Sequence, residues 1–257
     1  MPLIHSNVWC YAVVLMPYST CYVLYRQLKA QNLIKMTEVK KEKRGGINFF
    51  NCDNIEFMKT KPDNYYDLAI VDPPYGIGAD KAQNAGGKKW GYKEYLKTDW
   101  DSDIPNAEYF KELKRVSKNQ IVFGGNYMTE HLPASMGWII WDKGQRNFSL
   151  ADGEMAWTSF NKAMRIFEMS RGKVLAKDNE RGGRIHPTQK PVELYRWILT
   201  KYAEKGMKIL DTHGGSFTNA IACDEEGFEL DICEINKIYF ANGVYAFDVY
   251  KSQTKLF

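Results

Sequence analysis

The stretch ILDTHGGSFTNAIACDEEGFELDICE, residues 209–234, decides the fold. Its first apolar residues read as a strand that ends at Asp211. Gly214 and Gly215 permit a tight turn, and a helix is expected from about Ser216, so backbone N–H groups and small side chains surround whatever sits there. A second strand, FELDICE, ends in Glu234, a carboxylate able to accept both hydroxyls of a ribose. This arrangement serves nucleosides and dinucleotides alike. The spacing G-x-G-x-x-G is absent, so a pyrophosphate has no obvious seat. Glu225, Glu226, Glu229, Asp231 and Glu234 make the region acidic, which suits a cationic ligand such as a sulfonium better than a diphosphate.

Working outward, INFFNCD (47–53), YYDLAIVD (65–72), QIVFGGN (120–126) and WIIWDK (138–143) read as further strands. Helical spacing of Tyr109, Phe110, Leu113 and Val116 predicts a helix within 105–118. Val192, Tyr195, Ile198, Leu199 and Tyr202 predict another, with Pro191 at its start. A last helix is expected from about Asn236. AMRIFEMS (163–170) alternates, as an edge or antiparallel strand does. The expected fold is α/β, a three-layer α/β/α Rossmann-like sheet, mostly parallel with an antiparallel edge strand, whose ligands lie beyond the strands' carboxyl ends. Residues 76–103 and 171–187 are polar, glycine-containing and basic, and read as long solvated loops.

The chain has 257 residues, enough for one large domain. Residues 8–25, VWCYAVVLMPYSTCYVLY, carry no charge. Two readings stand for residues 1–35: a hydrophobic or membrane-associated extension, or a segment before a natural start at Met36, where the composition turns to TEVKKEKRGG. Residues 36–257 are read as the functional domain. A net charge of +4 permits a nucleic-acid partner without arguing for one. The five cysteines show no close metal spacing, so they read as free thiols in a reducing, cytoplasmic compartment, with no metal expected.

The chemistry is read from DLAIVDPPYGIG, residues 67–78. Asp72 stands just past a strand end. Pro73 and Pro74 lock the backbone and carry no N–H, which holds their carbonyls in place. Tyr75 adds a flat face. A rigid carboxylate, a fixed carbonyl and an aromatic ring are well suited to gripping a planar heterocycle by its exocyclic amine. Asp72 and the Pro73 carbonyl would accept its hydrogens while Tyr75 stacks on the ring. Drawing both hydrogens to acceptors favours the pyramidal amine, whose lone pair can attack an electrophilic methyl. No covalent nucleophile is then needed, and no cysteine stands in the Pro-Cys context of ring-carbon methylation.

Four stretches in this order resemble the S-adenosylmethionine-dependent DNA amino-methyltransferases, in the permuted, beta-class order where the catalytic half precedes the cofactor half. They are DPPYG (72–76), HPTQKP (186–191), DTHGGSFT (211–218) and CEINKIYF (233–240). The resemblance implies that Asp72, Pro73, Pro74 and Tyr75 are catalytic. It implies that Asp211, Thr212, Gly215, Ser216 and Glu234 hold the cofactor, that Lys190 and Pro191 line the pocket near it, and that Asp53 reaches its adenine amine. It further implies methylation of a flipped adenine at N6 in double-stranded DNA, by a monomer or homodimer that works with or without a restriction partner. Asp ahead of the two prolines favours adenine within the family, and N4 of cytosine is the alternative. FSLADGEMAWTSF resembles phage-type members. A DNA-binding module without catalysis is the reading from a different class, motivated by Thr212 and Phe217.

There are departures from the family's pattern. Asp211-Thr212-His213 stands where many members have Asp-Pro-Phe, and Phe217 stands where a second glycine is usual. A phenylalanine there is expected to need a negative φ and to put a ring near the ligand. DNA contacts are expected from Lys88, Lys89, Trp90 and Lys93 in the first basic loop, and from Lys173, Lys177, Arg181 and Arg184 in the second. Asn147, Ser149, Asp152 and Glu154 with Trp157 form a third polar cluster, which either lines the base pocket or caps surface loops.

Overall fold

The computed structural model describes residues 40–79, 101–147, 151–181, 183–186 and 188–254. The hydrophobic stretch at 1–35, the proposed start at Met36, and Lys88, Lys89, Trp90 and Lys93 lie outside them. Residues Lys40–Phe257 form one compact unit.

Among the described residues, nine strands make a single sheet. They are β1 (Lys40–Arg44), β2 (Ile47–Asn51), β3 (Tyr66–Val71), β4 (Ser117–Phe123), β5 (Trp138–Asp142), β6 (Gly153–Thr158), β7 (Arg165–Glu168), β8 (Lys208–Asp211) and β9 (Glu229–Cys233), in the order β1-β2-β9-β8-β3-β4-β6-β5-β7. The helices are α1 (Asn54–Lys59), α2 (Ala107–Val116), α3 (Arg171–Glu180), α4 (Val192–Tyr202), α5 (Thr218–Glu226) and α6 (Lys237–Thr254). The central five strands, β2, β9, β8, β3 and β4, run parallel. Leu68 and Ile70 of β3 enter one apolar cluster, with residues of α4, α5 and α6. Ala69 and Val71 enter the other, with residues of α1 and α2. A strand apolar on both faces needs a layer on each side, which gives the three layers expected.

Parallel strands deliver their carboxyl ends to one edge. Asp72, Gly124, Thr212 and Glu234 therefore emerge side by side, from β3, β4, β8 and β9. From β3 the chain proceeds to β4 on one side, whereas β8 and β9, made later, lie on the other. The β3–β8 boundary is thus a switch point, where open α/β sheets bind ligands. Strand β6 runs antiparallel between β4 and β5. Its amino end, bearing Glu154, reaches the same edge.

Two expectations change and a third holds. Residues 171–180 are a helix and not a solvated loop. Ser170 caps it by accepting from the Lys173 N–H, and only Val174 and Asp178 are buried. With so narrow an inward face, no apolar period marks it. Strand β7 lies at the edge, as expected, and pairs parallel with β5; the antiparallel strands are β6 and, at the other edge, β1, the antiparallel edge strand expected. Phe217 adopts φ +58 and is fully buried, so its ring turns into the core and away from the cleft. It packs 5.2 Å from the Phe49 ring and 6.0 Å from Phe240. Gly214 makes room for it, since a Cβ there would lie 2.1 Å from the ring. Left-handed backbone costs about 1–2 kcal/mol, which burial of the ring, about 1.5–3 kcal/mol, offsets.

Candidate functional site

A cleft of ≈ 360 Å³ opens at the carboxyl edge of the sheet, among the ends of β3, β8 and β9 and the segment leading into α4. Asp72, Pro74, Lys190, Thr212, Gly214, Gly215, Ser216 and Glu234 are in its lining. Asn54, His186, Gln189, Tyr195, His213 and Tyr239 complete much of the wall. Its size is that of a small-molecule or cofactor pocket.

At one end of the cleft the DPPY segment forms a tight polar cluster. The Tyr75 hydroxyl donates to Oδ1 of Asp72 at 2.8 Å. The Lys190 ammonium donates to Oδ2 of Asp72 at 2.7 Å and to the Tyr75 oxygen at 3.0 Å. Glu154 stands 3.2 Å from the same ammonium and 2.6 Å from that of Lys143. Four charges thus alternate in sign from Asp72 out to Lys143. Burial would lower Lys190, but Asp72 and Glu154 hold it above its ordinary value. Burial pushes Glu154 up, yet Lys190 and Lys143 outweigh it and bring it down to about 2. Burial also pushes Asp72 up, against the pull of Lys190.

The DPPY loop has an anchor that the sequence did not disclose. Asp101 is buried, and its Oδ1 accepts the N–H of Tyr75 at 2.6 Å and of Gly76 at 3.0 Å. Its Oδ2 accepts the N–H of Ala79 at 2.7 Å, and its carbonyl accepts that of Gly78 at 3.0 Å. One residue therefore fixes most of the backbone from 75 to 79. The Tyr75 ring stacks on exposed Tyr127, with centroids 5.4 Å apart.

At the other end of the cleft, Glu234 accepts from the Gly215 N–H at 2.9 Å and the Asn236 N–H at 2.7 Å, which fixes both carboxylate oxygens at the cleft wall. Asp211 is buried and outside the lining, accepting from Asn219 Nδ2 and the His213 N–H, and so orders the turn. Burial raises it to about 7. His213, bonded with Thr212 and Asn54, is brought down to about 3 by burial and is neutral.

Several expected site residues are placed elsewhere. Asp53 is exposed and caps α1 by accepting from the Glu56 N–H, while its neighbour Asn54 lines the cleft. Pro191 is the residue that caps α4 and is absent from the lining, as are Pro73 and Tyr75. Of the five acids expected to shape the field, only Glu234 reaches the cleft. Glu225 and Glu226 pair with Arg196, Asp231 accepts from Tyr66 and Asn48, and exposed Glu229 begins its strand at the opposite edge. Lys173 and Lys177 are exposed on α3, Lys177 beside Glu180. Arg181 is paired with Glu193 and Arg184 with Asp178 within the fold. In the third cluster, Glu154 joins the site, whereas Asp152 is exposed and Ser149 lies outside the described residues.

Similarity to known proteins bears on this geometry. Residues 140–244 match the model of the DNA methylase family. Over that segment this chain is similar to that family. It is 26% identical over 232 residues to the type II methyltransferase M.HpaI of Haemophilus parainfluenzae, an alignment covering 73% of this chain and 70% of that one. The PvuII DNA methyltransferase (cytosine-N4-specific) superposes with a TM-score of 0.51 at 14% identity, covering 82% of this chain and 95% of that one, and shares the fold. The structure of the M1.HpyAVI–SAM complex aligns at 21% identity and a TM-score of 0.49, over 77% of this chain and 98% of that one. The matched segment, 140–244, takes in Glu154, Lys190, the glycine turn and Glu234. The DPPY residues stand before it in the chain and beside it in space.

Proposed function

We propose that this protein transfers a methyl group from S-adenosylmethionine to the exocyclic N6 amine of a flipped adenine in double-stranded DNA, without a covalent enzyme intermediate. The observation that carries the reading is the Asp72–Tyr75–Lys190 cluster opening into a cleft whose far wall is Gly214–Ser216 and Glu234. The cleft fits the cofactor by its own chemistry. Glu234 offers a fixed carboxylate to a ribose diol, neutral His213 and Asn54 offer an uncharged polar wall, and Asp72 and Glu234 favour a cation.

When bound, the cofactor supplies a methyl group on a sulfonium. The residues of this chain do the rest. Asp72 accepts an N–H of the amine, and the Pro73 carbonyl accepts the other. The base stacks beside Tyr75, whose hydroxyl is already committed to Asp72. None of the three described cysteines lines the cleft, which agrees with direct transfer. The exposed Lys173 side of α3 is available for backbone phosphates.

Nucleoside mass analysis of DNA incubated with the protein and S-adenosylmethionine tests this. N6-methyladenine above the untreated level is expected. N4-methylcytosine instead would move the reaction to the other base. Neither product, from protein that binds the cofactor and from DNA of varied sequence, would overturn the reading.

A further inference from the structure

Lys190 is 3% exposed, and its ammonium sits where three groups of the site converge: Asp72 Oδ2 at 2.7 Å, the Tyr75 oxygen at 3.0 Å and Glu154 at 3.2 Å. It also lies over the rings of Phe123, at 4.8 Å, and Tyr75, at 5.4 Å. A lysine that only walled a cofactor pocket would not need two half-buried carboxylates and a tyrosyl oxygen. A buried charge without partners is costly, and here every partner belongs to the catalytic end of the cleft.

We propose that Lys190, anchored by Glu154, is a positioning residue that keeps the Asp72 carboxylate charged and aimed, so that Asp72 can accept the substrate amine's hydrogen and then its proton. The proposal rests on the reading of Asp72 as the amine's acceptor. As the new nitrogen–carbon bond forms from the amine lone pair, the carbon–sulfur bond breaks with its electron pair to sulfur. The nitrogen then carries one proton too many. That proton passes to an Asp72 oxygen, leaving a neutral methylated amine and a neutral carboxyl, which returns the proton to solvent between turnovers.

Partial burial makes this carboxylate resist carrying charge. The groups facing Asp72 are Lys190, Glu154 from β6, Tyr75 from its own loop, Asp211 from β8, Tyr195 from α4 and Tyr109 from α2. Among these described residues Lys190 is the one cation. Two carboxylates and three tyrosines oppose the charge or leave it unaided, apart from the hydrogen bond from Tyr75. Without Lys190 the carboxyl would stay protonated to higher pH, with a hydrogen where the amine's hydrogen must point.

The test uses Lys190→Gln, which keeps a donor and removes the charge, and Lys190→Arg, which restores it. Carbon-13 NMR of the aspartate carboxyls, assigned with Asp72→Asn, follows Asp72 in the whole protein without DNA. In Lys190→Gln the Asp72 midpoint should rise by about 1–3 pH units, as expected for loss of a cation within hydrogen-bond distance. The acid limb of kcat on DNA should rise with it, and Lys190→Arg should bring both back toward wild type. Binding of S-adenosylhomocysteine should change less than threefold. An unmoved Asp72 midpoint in the folded Gln variant would overturn the proposal, as would lost cofactor affinity with an unmoved kcat profile. If Lys190→Gln does not fold, the Arg variant decides: a wild-type midpoint in it supports the proposal, and a raised one overturns it. Failure of the wild type to methylate DNA would count against the reaction reading, while the carboxyl titration still reads the pair.

Discussion

The Tyr75 ring rests directly on Gly124. A Cβ at Gly124 would fall 2.2 Å from Cε1 of that ring, and Gly124 itself holds φ +66 at the end of β4. No side chain fits there while Tyr75 keeps its place. Gly124→Ala should therefore displace the tyrosyl ring and break its bond to Asp72. Turnover is expected to fall at least tenfold, with S-adenosylhomocysteine affinity within threefold of wild type, because Gly124 does not line the cleft. Calorimetry beside steady-state kinetics checks this split, and equal loss of both would contradict it.

Asp101 should behave as a catalytic-loop anchor although it touches no ligand. Asp101→Asn leaves one acceptor oxygen where two now serve the N–H groups of Tyr75, Gly76 and Ala79. Leaving a buried N–H unmet costs about 1–3 kcal/mol. Loop order should suffer before global stability. Amide hydrogen exchange at residues 75–79 is expected to speed up, and kcat to drop, with an unchanged exchange pattern in α5.

Phe217→Gly removes a left-handed side chain and leaves a hole between Phe49 and Phe240. Relief of about 1–2 kcal/mol is set against about 3–5 kcal/mol for emptying a buried aromatic site. The variant should thus be less stable than wild type by about 1–4 kcal/mol, read from urea midpoints. A variant more stable than wild type would show that strain outweighs packing.

His213 gives a pH dependence with a definite sign. Burial lowers it from an ordinary 6.5 to about 3 in the folded chain. The folded state therefore prefers the neutral ring. That preference is fully expressed above pH 6.5 and is lost as pH falls from 6.5 toward 3, because the unfolded chain takes up the proton first. His213→Gln should consequently gain stability relative to wild type as pH is lowered through this window. Parallel melts at pH 7.5 and pH 5 check it, and a constant gap between the two proteins would refute it.

Much of this site is legible in the sequence, for reasons that differ by residue. Asp72 and Glu234 end apolar strands, and strand ends in such a sheet point toward the ligand edge. The Gly214–Gly215 turn announces a close approach of backbone to something. Asp101 is hidden because it is one of three acids in DWDSD, and no spacing separates the one turned inward. Glu154 is visible only as one polar residue among several, since its partner Lys190 lies 36 positions away. Arg181 and Arg184 look free in sequence, but Glu193 and Asp178 claim them only once α3 packs before α4. Phe217 misleads because a bulky residue at positive φ is rare, and the rings that stabilise it come from β2 and α6.

The clamp at Asp101 has a consequence for how such a protein can diversify. Because Ala79 and Asp101 are joined by a direct hydrogen bond, the chain departs from the DPPY loop and rejoins it at a single knot. Whatever length or composition the intervening residues have, the geometry of residues 72–79 is set on the near side of that knot. Substitution or exchange of the intervening segment should then leave the arrangement of residues 72–79 as it is.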